Sequence, residues 1–180
     1  MKKILILIIS IALIIAGCAN GNVSDPGIQE TENTEAETEP QTEETNVVIA
    51  PDFELESLDG SRVKLSQMRD KNVILNFWYT GCVFCVMEMP DLQKLQEAYI
   101  DDLTVLTINS GESKEKIQNF MEDENLNLNV LLDEDLKVTN NYGVRSFPAT
   151  IAINKKGEVI GGYVGMLSYD QMEQIYGFFE

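Results

Sequence analysis

The stretch from Val73 to Pro90, VILNFWYTGCVFCVMEMP, constrains the fold of this chain more than any other. It opens with an apolar run from Val73 to Tyr79, interrupted only by Asn76 and rich in β-branched and aromatic residues. Such a run predicts a strand that is covered on both faces of a parallel sheet. A Thr-Gly step ends the run, and Cys82 and Cys85 then open a pattern typical of a helix. The stretch therefore predicts a buried strand followed by a helix with a CxxC at its start.

The start of a helix favours a reactive cysteine for a physical reason. The first turn has unpaired N–H groups and the positive end of the macrodipole, which stabilise a thiolate on Cys82. The thiolate is the nucleophilic form of cysteine. Because Cys85 follows three residues later, it lies on the same helical face, close enough for a disulfide to form and break. We expect Cys82 to be the exposed attacking thiol and Cys85 the more buried resolving thiol.

Two structural uses of this cysteine pair are the weaker alternatives. A zinc site of four nitrogen and sulfur ligands cannot be completed, because the chain has no histidine and a single further cysteine, Cys18. We therefore expect no metal. A purely structural disulfide remains open, although a loop this short stabilises a fold only slightly.

Residues 1–17 have the pattern of a secretion signal. Two lysines precede an apolar run from Ile4 to Ala16, in which Ser10 is the only polar residue, and this run is short for a transmembrane helix. The sequence Ala-Gly-Cys that follows, ending at Cys18, resembles the lipobox of bacterial lipoproteins. The resemblance implies a signal peptide at 1–17 and a lipid on Cys18. An uncleaved anchor or an ordinary secretory signal is the alternative, and each of them takes the protein out of the cytoplasm.

The segment that follows the lipobox is acidic and poor in large apolar residues. Between residues 19 and 46 it holds eight acidic residues and no basic one. Such a segment buries too little apolar surface to offset its ordering entropy, so 18–46 is predicted to be a disordered tether. The remainder, 47–180, is long enough for a single core. The net charge of the whole chain, −17, argues against nucleic acid or an anionic membrane surface as a partner.

Strands alternate with helices along 47–180, which predicts a mixed α/β sheet covered on both sides. Two short strands, at 53–55 and 63–65, flank an Asp-Gly turn and predict a hairpin. Later strands are predicted at 103–109, 130–132, 149–154 and 158–164, the last two forming an antiparallel hairpin. Helices are predicted after Ser113, at 134–141, and from a capping box at Ser168 to Gln171.

Four motifs carry a family resemblance that covers residues 50–180. They are Asn76-Phe77-Trp78 before the CxxC, Glu88 and Pro90 after it, Tyr142-Gly143-Val144, and Phe147-Pro148-Ala149-Thr150. With these motifs the chain resembles the membrane-anchored, extracytoplasmic thiol-disulfide oxidoreductases called the TlpA/ResA-like family. The resemblance implies a thioredoxin-like α/β fold, with a central mixed β-sheet flanked by helices and an added N-terminal β-hairpin.

The resemblance also implies roles for residues outside the CxxC. It implies a cis peptide bond before Pro148, with the Phe147 backbone offering hydrogen bonds to an extended substrate. It further implies that Glu88 takes or gives the proton of Cys85 during exchange. Thioredoxin has a buried aspartate on the strand before the motif, and Asn76 holds that place here. A solvated surface position for Glu88 is the alternative.

Two departures from the family concern the surface around the CxxC. Val83 and Phe84 stand between the cysteines, where relatives often have an acidic or small residue followed by proline, and Gly81 replaces a common tryptophan. These changes leave the reduction potential open. They also predict a wider apolar docking face around Phe84. Trp78 is expected to contribute to the core and to the wall of the same substrate-binding site.

The function predicted from these features is the reduction of disulfides in exported proteins by a lipid-anchored enzyme on the extracytoplasmic side of a bacterial membrane. Apocytochrome c, an extracellular methionine sulfoxide reductase and a peroxidase are the candidate targets. The family implies a membrane electron donor of the CcdA/DsbD kind, and no cofactor is expected. The first alternative is a disulfide-forming oxidase or isomerase. A thiol peroxidase is disfavoured, since neither cysteine follows the P-x-x-x-T-x-x-C pattern, and a redox-inert binding lipoprotein is the third alternative.

Overall fold

The computed structural model describes residues 47–179. The predicted signal peptide at 1–17, the lipidated Cys18 and the acidic tether at 18–46 lie outside the described residues.

The described residues form one seven-stranded mixed sheet with helices on both faces, in the strand order β2-β1-β5-β4-β3-β6-β7. The strands are β1 Glu54–Ser57, β2 Arg62–Lys64, β3 Asn72–Trp78, β4 Leu103–Ser110, β5 Asn129–Asp133, β6 Ala149–Ile153 and β7 Val159–Val164. The helices are α1 Val83–Ala98, α2 Lys114–Asp123, α3 Lys137–Asn141 and α4 Tyr169–Tyr176, with short 3-10 turns at Leu65–Gln67 and Gly177–Phe179. The α/β class predicted from the sequence is confirmed.

The central strand, β3, is buried at every position. It pairs in parallel with β4 and antiparallel with β6. On one face, Val73, Leu75 and Phe77 pack in a core that includes Phe53 and Val138. On the other face, Ile74 and Trp78 pack against apolar residues of α1, α2 and α4. The apolar run is therefore a strand covered on both faces, as predicted, and its carboxyl end leads directly to the CxxC.

The N-terminal hairpin is present but begins later than predicted. β1 pairs antiparallel with β2 around the turn that contains Gly60, whose φ of +91° favours glycine. β1 also pairs antiparallel with β5, so the hairpin extends the central sheet. Leu65, predicted to end the second strand, instead begins a 3-10 turn and is fully buried.

The helix predicted at 134–141 is shorter than expected. Leu136 has a left-handed φ of +60°, which a right-handed helix does not accommodate. The carboxylate of Asp133 accepts hydrogen bonds from the N–H groups of Val138, at 3.1 Å, and Thr139, at 2.7 Å. These bonds satisfy free N–H groups of the first turn, so α3 begins only after Leu136.

The starts of α2 and α4 are where the sequence predicts them. Ser168 and Gln171 form the predicted capping box, with the Ser168 N–H donating to Gln171 Oε1 at 2.9 Å. Ser113 precedes α2 but its hydroxyl makes no capping hydrogen bond. The capping box fixes the chain where it enters α4, next to the candidate site.

Truncation of the fully buried Leu95 in α1 tests the packing of this helix on the sheet. Leu95→Ala is expected to lower the free energy of unfolding by about 2–5 kcal/mol, because it leaves a cavity in a close-packed core. Equilibrium urea unfolding measures the change. The control is Ile100→Ala, just after the same helix, where a residue 58% exposed should change stability by less than about 0.5 kcal/mol. Equal effects of the two substitutions would contradict the described packing.

Candidate active site

Cys82 and Cys85 form a disulfide at the start of α1, with an S–S distance of 2.10 Å and a Cα–Cα distance of 5.2 Å. Cys82 is the N-cap residue, and its sulfur accepts a hydrogen bond from the Cys85 N–H at 3.2 Å. The sulfur of Cys82 thus lies at the positive end of the α1 macrodipole. This position suits a group that becomes negatively charged when the disulfide is reduced.

The two cysteines differ in exposure in the predicted order, but both are buried. Cys85 is 0% exposed and Cys82 only 7% exposed. The expectation of an exposed Cys82 is therefore corrected: in the disulfide form it packs in a cluster with Trp78 and Met89, against which Phe147 also packs. Only a small part of the Cys82 surface is therefore open to solvent in this form.

Glu88 lies inside the protein, one turn of α1 after Cys85. Only 1% of Glu88 is exposed, which excludes the alternative of a solvated surface residue. Its carboxylate accepts hydrogen bonds from Asn76 Nδ2 at 2.7 Å and from the Leu167 N–H at 2.9 Å. Burial is the largest influence on the pKa of Glu88 and raises it; the two bonds lower it, the nearby charge of Asp91 raises it, and the net result is a raised pKa. Glu88 is therefore a carboxyl group that binds a proton at higher pH than a solvated one.

Asn76 connects Glu88 to the strand that follows the cis-proline loop. Its Nδ2 also donates to Thr150 Oγ1 at 3.1 Å, while its buried Oδ1 has no hydrogen-bond partner among the described residues. An unpaired buried acceptor carries a desolvation penalty, so this polar group is held where it is at some cost in stability. Asn76, Thr150 and Glu88 thus form a buried polar network on the sheet side of the CxxC helix.

The loop that ends in Phe147 and Pro148 faces the same cluster. The Phe147–Pro148 peptide bond is cis, as the resemblance implies. The Phe147 ring packs edge to face with Tyr79, with 5.3 Å between the ring centroids, and also contacts the cluster that contains both cysteines. Pro148 is buried, and its carbonyl accepts the Gly165 N–H at 2.8 Å. The structure thus brings the predicted loop and the CxxC together.

An exposed apolar surface surrounds the start of α1. It consists of Val83, Phe84 and Met87, which are 69%, 60% and 58% exposed. We call these three residues the α1 rim. Phe84 is thus placed where the sequence predicts a docking face.

Trp78 is not part of that face. Its side chain is 0% exposed and packs against Phe120, with 5.4 Å between ring centroids. The prediction that Trp78 contributes to substrate binding is corrected on this point, because the ring has no surface that a substrate can touch. Its role is to fill the core beneath the CxxC.

Glu112 is a site residue that the sequence analysis missed. Its carboxylate accepts hydrogen bonds from the Thr80 N–H and the Thr80 hydroxyl, both at 2.7 Å, and from Asn109 Nδ2 at 2.9 Å. Lys116 Nζ adds an ion pair at 2.6 Å. Burial alone would raise the pKa of Glu112, but the bonds from Lys116, Asn109 and Thr80 outweigh it and lower the pKa. Glu112 therefore fixes, as a carboxylate, the loop that precedes Cys82.

A signal for Glu112 is present in the sequence. β3 and β4 are two buried strands joined through a helix, a connection typical of parallel neighbours, and the carboxyl ends of parallel strands meet at one edge of a sheet. Thr80 and Glu112 each follow the end of one of these strands. A polar contact between the two loops could have been predicted on that basis.

Two further features concern residues 47–179 only. In this part of the chain no three or more Asp, Glu or Cys side chains are grouped so as to hold a metal ion. Within the same residues, no helix combines the length and the apolar character needed to cross a membrane.

Comparison with known proteins adds relatives at both the sequence and the structural level. Residues 48–161 match the AhpC/TSA family. The chain is 38% identical over 128 residues to the thioredoxin-like protein YneN of Bacillus subtilis, covering 69% of this chain and 75% of that protein. It is 36% identical over 120 residues to the thiol-disulfide oxidoreductase ResA of the same organism, covering 66% and 67%. The crystal structure of the exposed lipoprotein thioredoxin Etrx1 of Streptococcus pneumoniae is similar, with a TM-score of 0.63, 32% identity and coverage of 71% of this chain and 99% of that one.

The family match takes in β3, the CxxC helix and the cis-proline loop, which are the elements that build the site. The chain lacks the peroxidase motif P-x-x-x-T-x-x-C, since no threonine stands three residues before Cys82 or Cys85. With the thioredoxin fold and relatives above 30% identity, the chain belongs to the AhpC/TSA family and, within it, to the thiol-disulfide oxidoreductases similar to ResA and YneN.

Proposed function

We propose that this protein is a lipid-anchored, extracytoplasmic enzyme that reduces disulfides of exported proteins. The observation that carries the proposal is the Cys82–Cys85 disulfide at the start of α1, with the buried Glu88 one turn behind Cys85. The lipobox at Cys18 supports the anchor. The similarity to Etrx1, which is described as an exposed lipoprotein, supports the location.

The reaction is a dithiol-disulfide exchange in two steps. In the reduced enzyme the Cys82 thiolate attacks one sulfur of the substrate disulfide, the S–S bond breaks, and the second substrate sulfur leaves as a thiolate. The product is a mixed disulfide between Cys82 and the substrate. Cys85 then attacks the sulfur of Cys82 and releases the first substrate sulfur. Two electrons pass to the substrate, and the Cys82–Cys85 disulfide is left.

A separate reductant must return the enzyme to its dithiol form after each reaction. We propose that a membrane electron carrier of the CcdA/DsbD kind supplies these two electrons. The anchor on Cys18 and the tether at 18–46 would hold the domain close to such a carrier. Apocytochrome c, an extracellular methionine sulfoxide reductase and a peroxidase are the proposed recipients.

Glu88 is proposed to take the proton of Cys85. The resolving thiol is fully buried, so water does not reach it directly, whereas Glu88 lies on the same buried side of α1. Its raised pKa brings its proton affinity closer to that of a thiol, which makes transfer between them easier. Substrate contacts are assigned to the Phe147 backbone beside Pro148 and to Phe84 on the α1 rim.

The direction of electron flow is tested by the reduction potential of the Cys82–Cys85 pair. We expect a value more negative than about −230 mV, which suits a reductase, from equilibration with glutathione or dithiothreitol buffers and counting of free thiols. A Cys85→Ser variant should accumulate the mixed disulfide on Cys82, and a Cys82→Ser variant should not. A potential near −120 mV would favour the oxidase alternative, and two unreactive cysteines would favour the binding lipoprotein.

The role of Glu88 is tested by Glu88→Gln, which keeps the size of the side chain and an acceptor for the Leu167 N–H. Reaction of the reduced enzyme with dithionitrobenzoate releases two thionitrobenzoate ions, the first on attack by Cys82 and the second on resolution by Cys85. In the wild type the second release should accelerate as pH rises through the raised pKa of Glu88, because only the carboxylate takes the proton. In Glu88→Gln it should accelerate only as Cys85 itself ionises, and should be about 10²-fold slower near pH 7.

The matched control for this experiment is Glu97→Gln, an exposed glutamate of the same helix. It should leave both releases and their pH profiles unchanged. A second release that keeps the wild-type profile in Glu88→Gln would remove Glu88 from the proton-transfer step.

The α1 rim is tested by Phe84→Ser. Loss of an exposed aromatic anchor should remove about 1–2 kcal/mol of protein-substrate binding, so kcat/KM for insulin disulfides should fall about 5- to 30-fold. The rate with a small disulfide such as hydroxyethyl disulfide should stay the same, because that substrate needs only the sulfur of Cys82. Ile100→Ser is the control, since Ile100 is equally exposed at the opposite end of α1. Equal loss with both substrates would show that Phe84 acts on the disulfide itself and not on docking.

A further inference from the structure

Two carboxylates of α1 hold the segment that enters α4. Glu88 Oε2 accepts the Leu167 N–H at 2.9 Å, and Asp91 Oδ2 accepts the Tyr169 N–H at 3.1 Å. Glu88 and Asp91 are three residues apart, so they lie on the same side of α1. The two acceptors therefore form a pair that faces one short stretch of backbone.

The N–H group between these two bonds is also held. The Ser168 N–H donates to Gln171 Oε1 at 2.9 Å within the capping box. Three consecutive N–H groups, those of Leu167, Ser168 and Tyr169, are thus each bonded to a side chain. Because the capping box restrains this stretch, a shift of the Tyr169 N–H moves the Leu167 N–H with it. Asp91 is exposed to solvent in part, whereas Glu88 is buried, so the bond to Tyr169 is the outer of the two and the bond to Leu167 is the inner one.

We propose that Asp91 is a positioning residue for the proton-transfer step, because its bond to Tyr169 keeps the Leu167 N–H on the Glu88 carboxylate. The catalytic significance of this inference rests on the proposed role of Glu88 in proton transfer. The coupling itself concerns only the backbone before α4 and the titration of Glu88, so it is measurable without any substrate.

Among the groups around Glu88, Asp91 is the charged one that affects its pKa. From β3 and β6 the neighbours in the hydrogen-bond network are the uncharged Asn76 and Thr150. At the start of α4, the Tyr169 N–H bonds to Asp91, and the Tyr169 ring centroid lies 3.5 Å from the ammonium of Lys94. On α1 itself Cys85 is neutral in the disulfide form, and the charge of Asp91 raises the pKa of Glu88.

Asp91 therefore has two effects on Glu88, and they have opposite signs. Its negative charge disfavours the Glu88 carboxylate, whereas its hold on the Leu167 N–H favours that carboxylate through a hydrogen bond. The substitution Asp91→Asn removes the charge but keeps an oxygen that accepts the Tyr169 N–H. The substitution Asp91→Ala removes both. Comparing the two variants isolates positioning from charge.

The experiment is a carbon-13 carboxyl titration of Glu88 by NMR in the oxidised, disulfide-bonded protein, together with amide exchange of Leu167 and Tyr169. We expect the Glu88 midpoint to move to lower pH in Asp91→Asn and to lie at higher pH in Asp91→Ala than in Asp91→Asn. We also expect the Leu167 and Tyr169 amides to exchange roughly tenfold faster in Asp91→Ala than in Asp91→Asn. Glu97→Asn and Glu97→Ala, on the exposed side of α1, are the matched controls and should change neither quantity.

Three outcomes would overturn the proposal. Identical Glu88 midpoints in Asp91→Asn and Asp91→Ala would leave Asp91 with an electrostatic effect alone. Unchanged exchange of the Leu167 amide in Asp91→Ala would show that the outer bond does not hold the inner one. Equally faster exchange of the buried β3 amides in Asp91→Ala would assign the effect to general destabilisation. Because no thiol reacts in this experiment, failure of the proposed reductase function would leave its result unaffected.

Discussion

The buried carboxyl of Glu88 is the interaction on which the arrangement of this site depends. A carboxylate out of contact with water needs hydrogen-bond donors, and those of Glu88 come from two separate elements. Asn76 supplies one from the central strand, and the Leu167 N–H supplies the other from the entry to α4. Since Glu88 itself belongs to the CxxC helix, one side chain links β3, α1 and α4 behind the disulfide. Moving β3 or the entry to α4 away from α1 would cost the carboxyl one of its two donors.

The disulfide is held from its other side by different means. Glu112 lies between β4 and α2 and binds both the N–H and the hydroxyl of Thr80, two residues before Cys82. The loop before the CxxC is thereby fixed by a carboxylate, while the start of α1 is fixed by burial of both cysteines. The α1 rim stays exposed beside them. Exposed apolar side chains therefore lie at the surface, above a backbone that is held by hydrogen bonds to Glu112 and by burial of the cysteines.

The sequence predicts those parts of the fold that depend on local residue patterns. The apolar run of β3 and the capping box at Ser168 need only neighbouring residues, and both are found where expected. The start of α3 is not of this kind, because it depends on the left-handed backbone of Leu136. The Leu167 donor lies 79 residues from Glu88, and nothing in the sequence around either residue specifies that contact. The prediction of a substrate contact for Trp78 is wrong for a similar reason. The Trp78 ring is fully buried, and one of the rings that it packs against, Phe120, is distant in the sequence.

Glu88 and Glu112 have opposite electrostatic environments on the two sides of the same cysteine pair. Burial dominates at Glu88 and raises its pKa, whereas hydrogen bonds and the Lys116 ammonium dominate at Glu112 and lower its pKa. A group that must exchange a proton with a thiol benefits from the first environment, and a group that must stay charged to hold a loop benefits from the second. This difference in pKa direction follows from the hydrogen-bond donors around each carboxyl. One cation and three neutral donor groups bond to Glu112. Within residues 47–179, Glu88 accepts hydrogen bonds from neutral donors and no cation is bonded to it. In the proposed mechanism the two acids therefore have separate roles, with proton transfer assigned to Glu88 and loop positioning to Glu112.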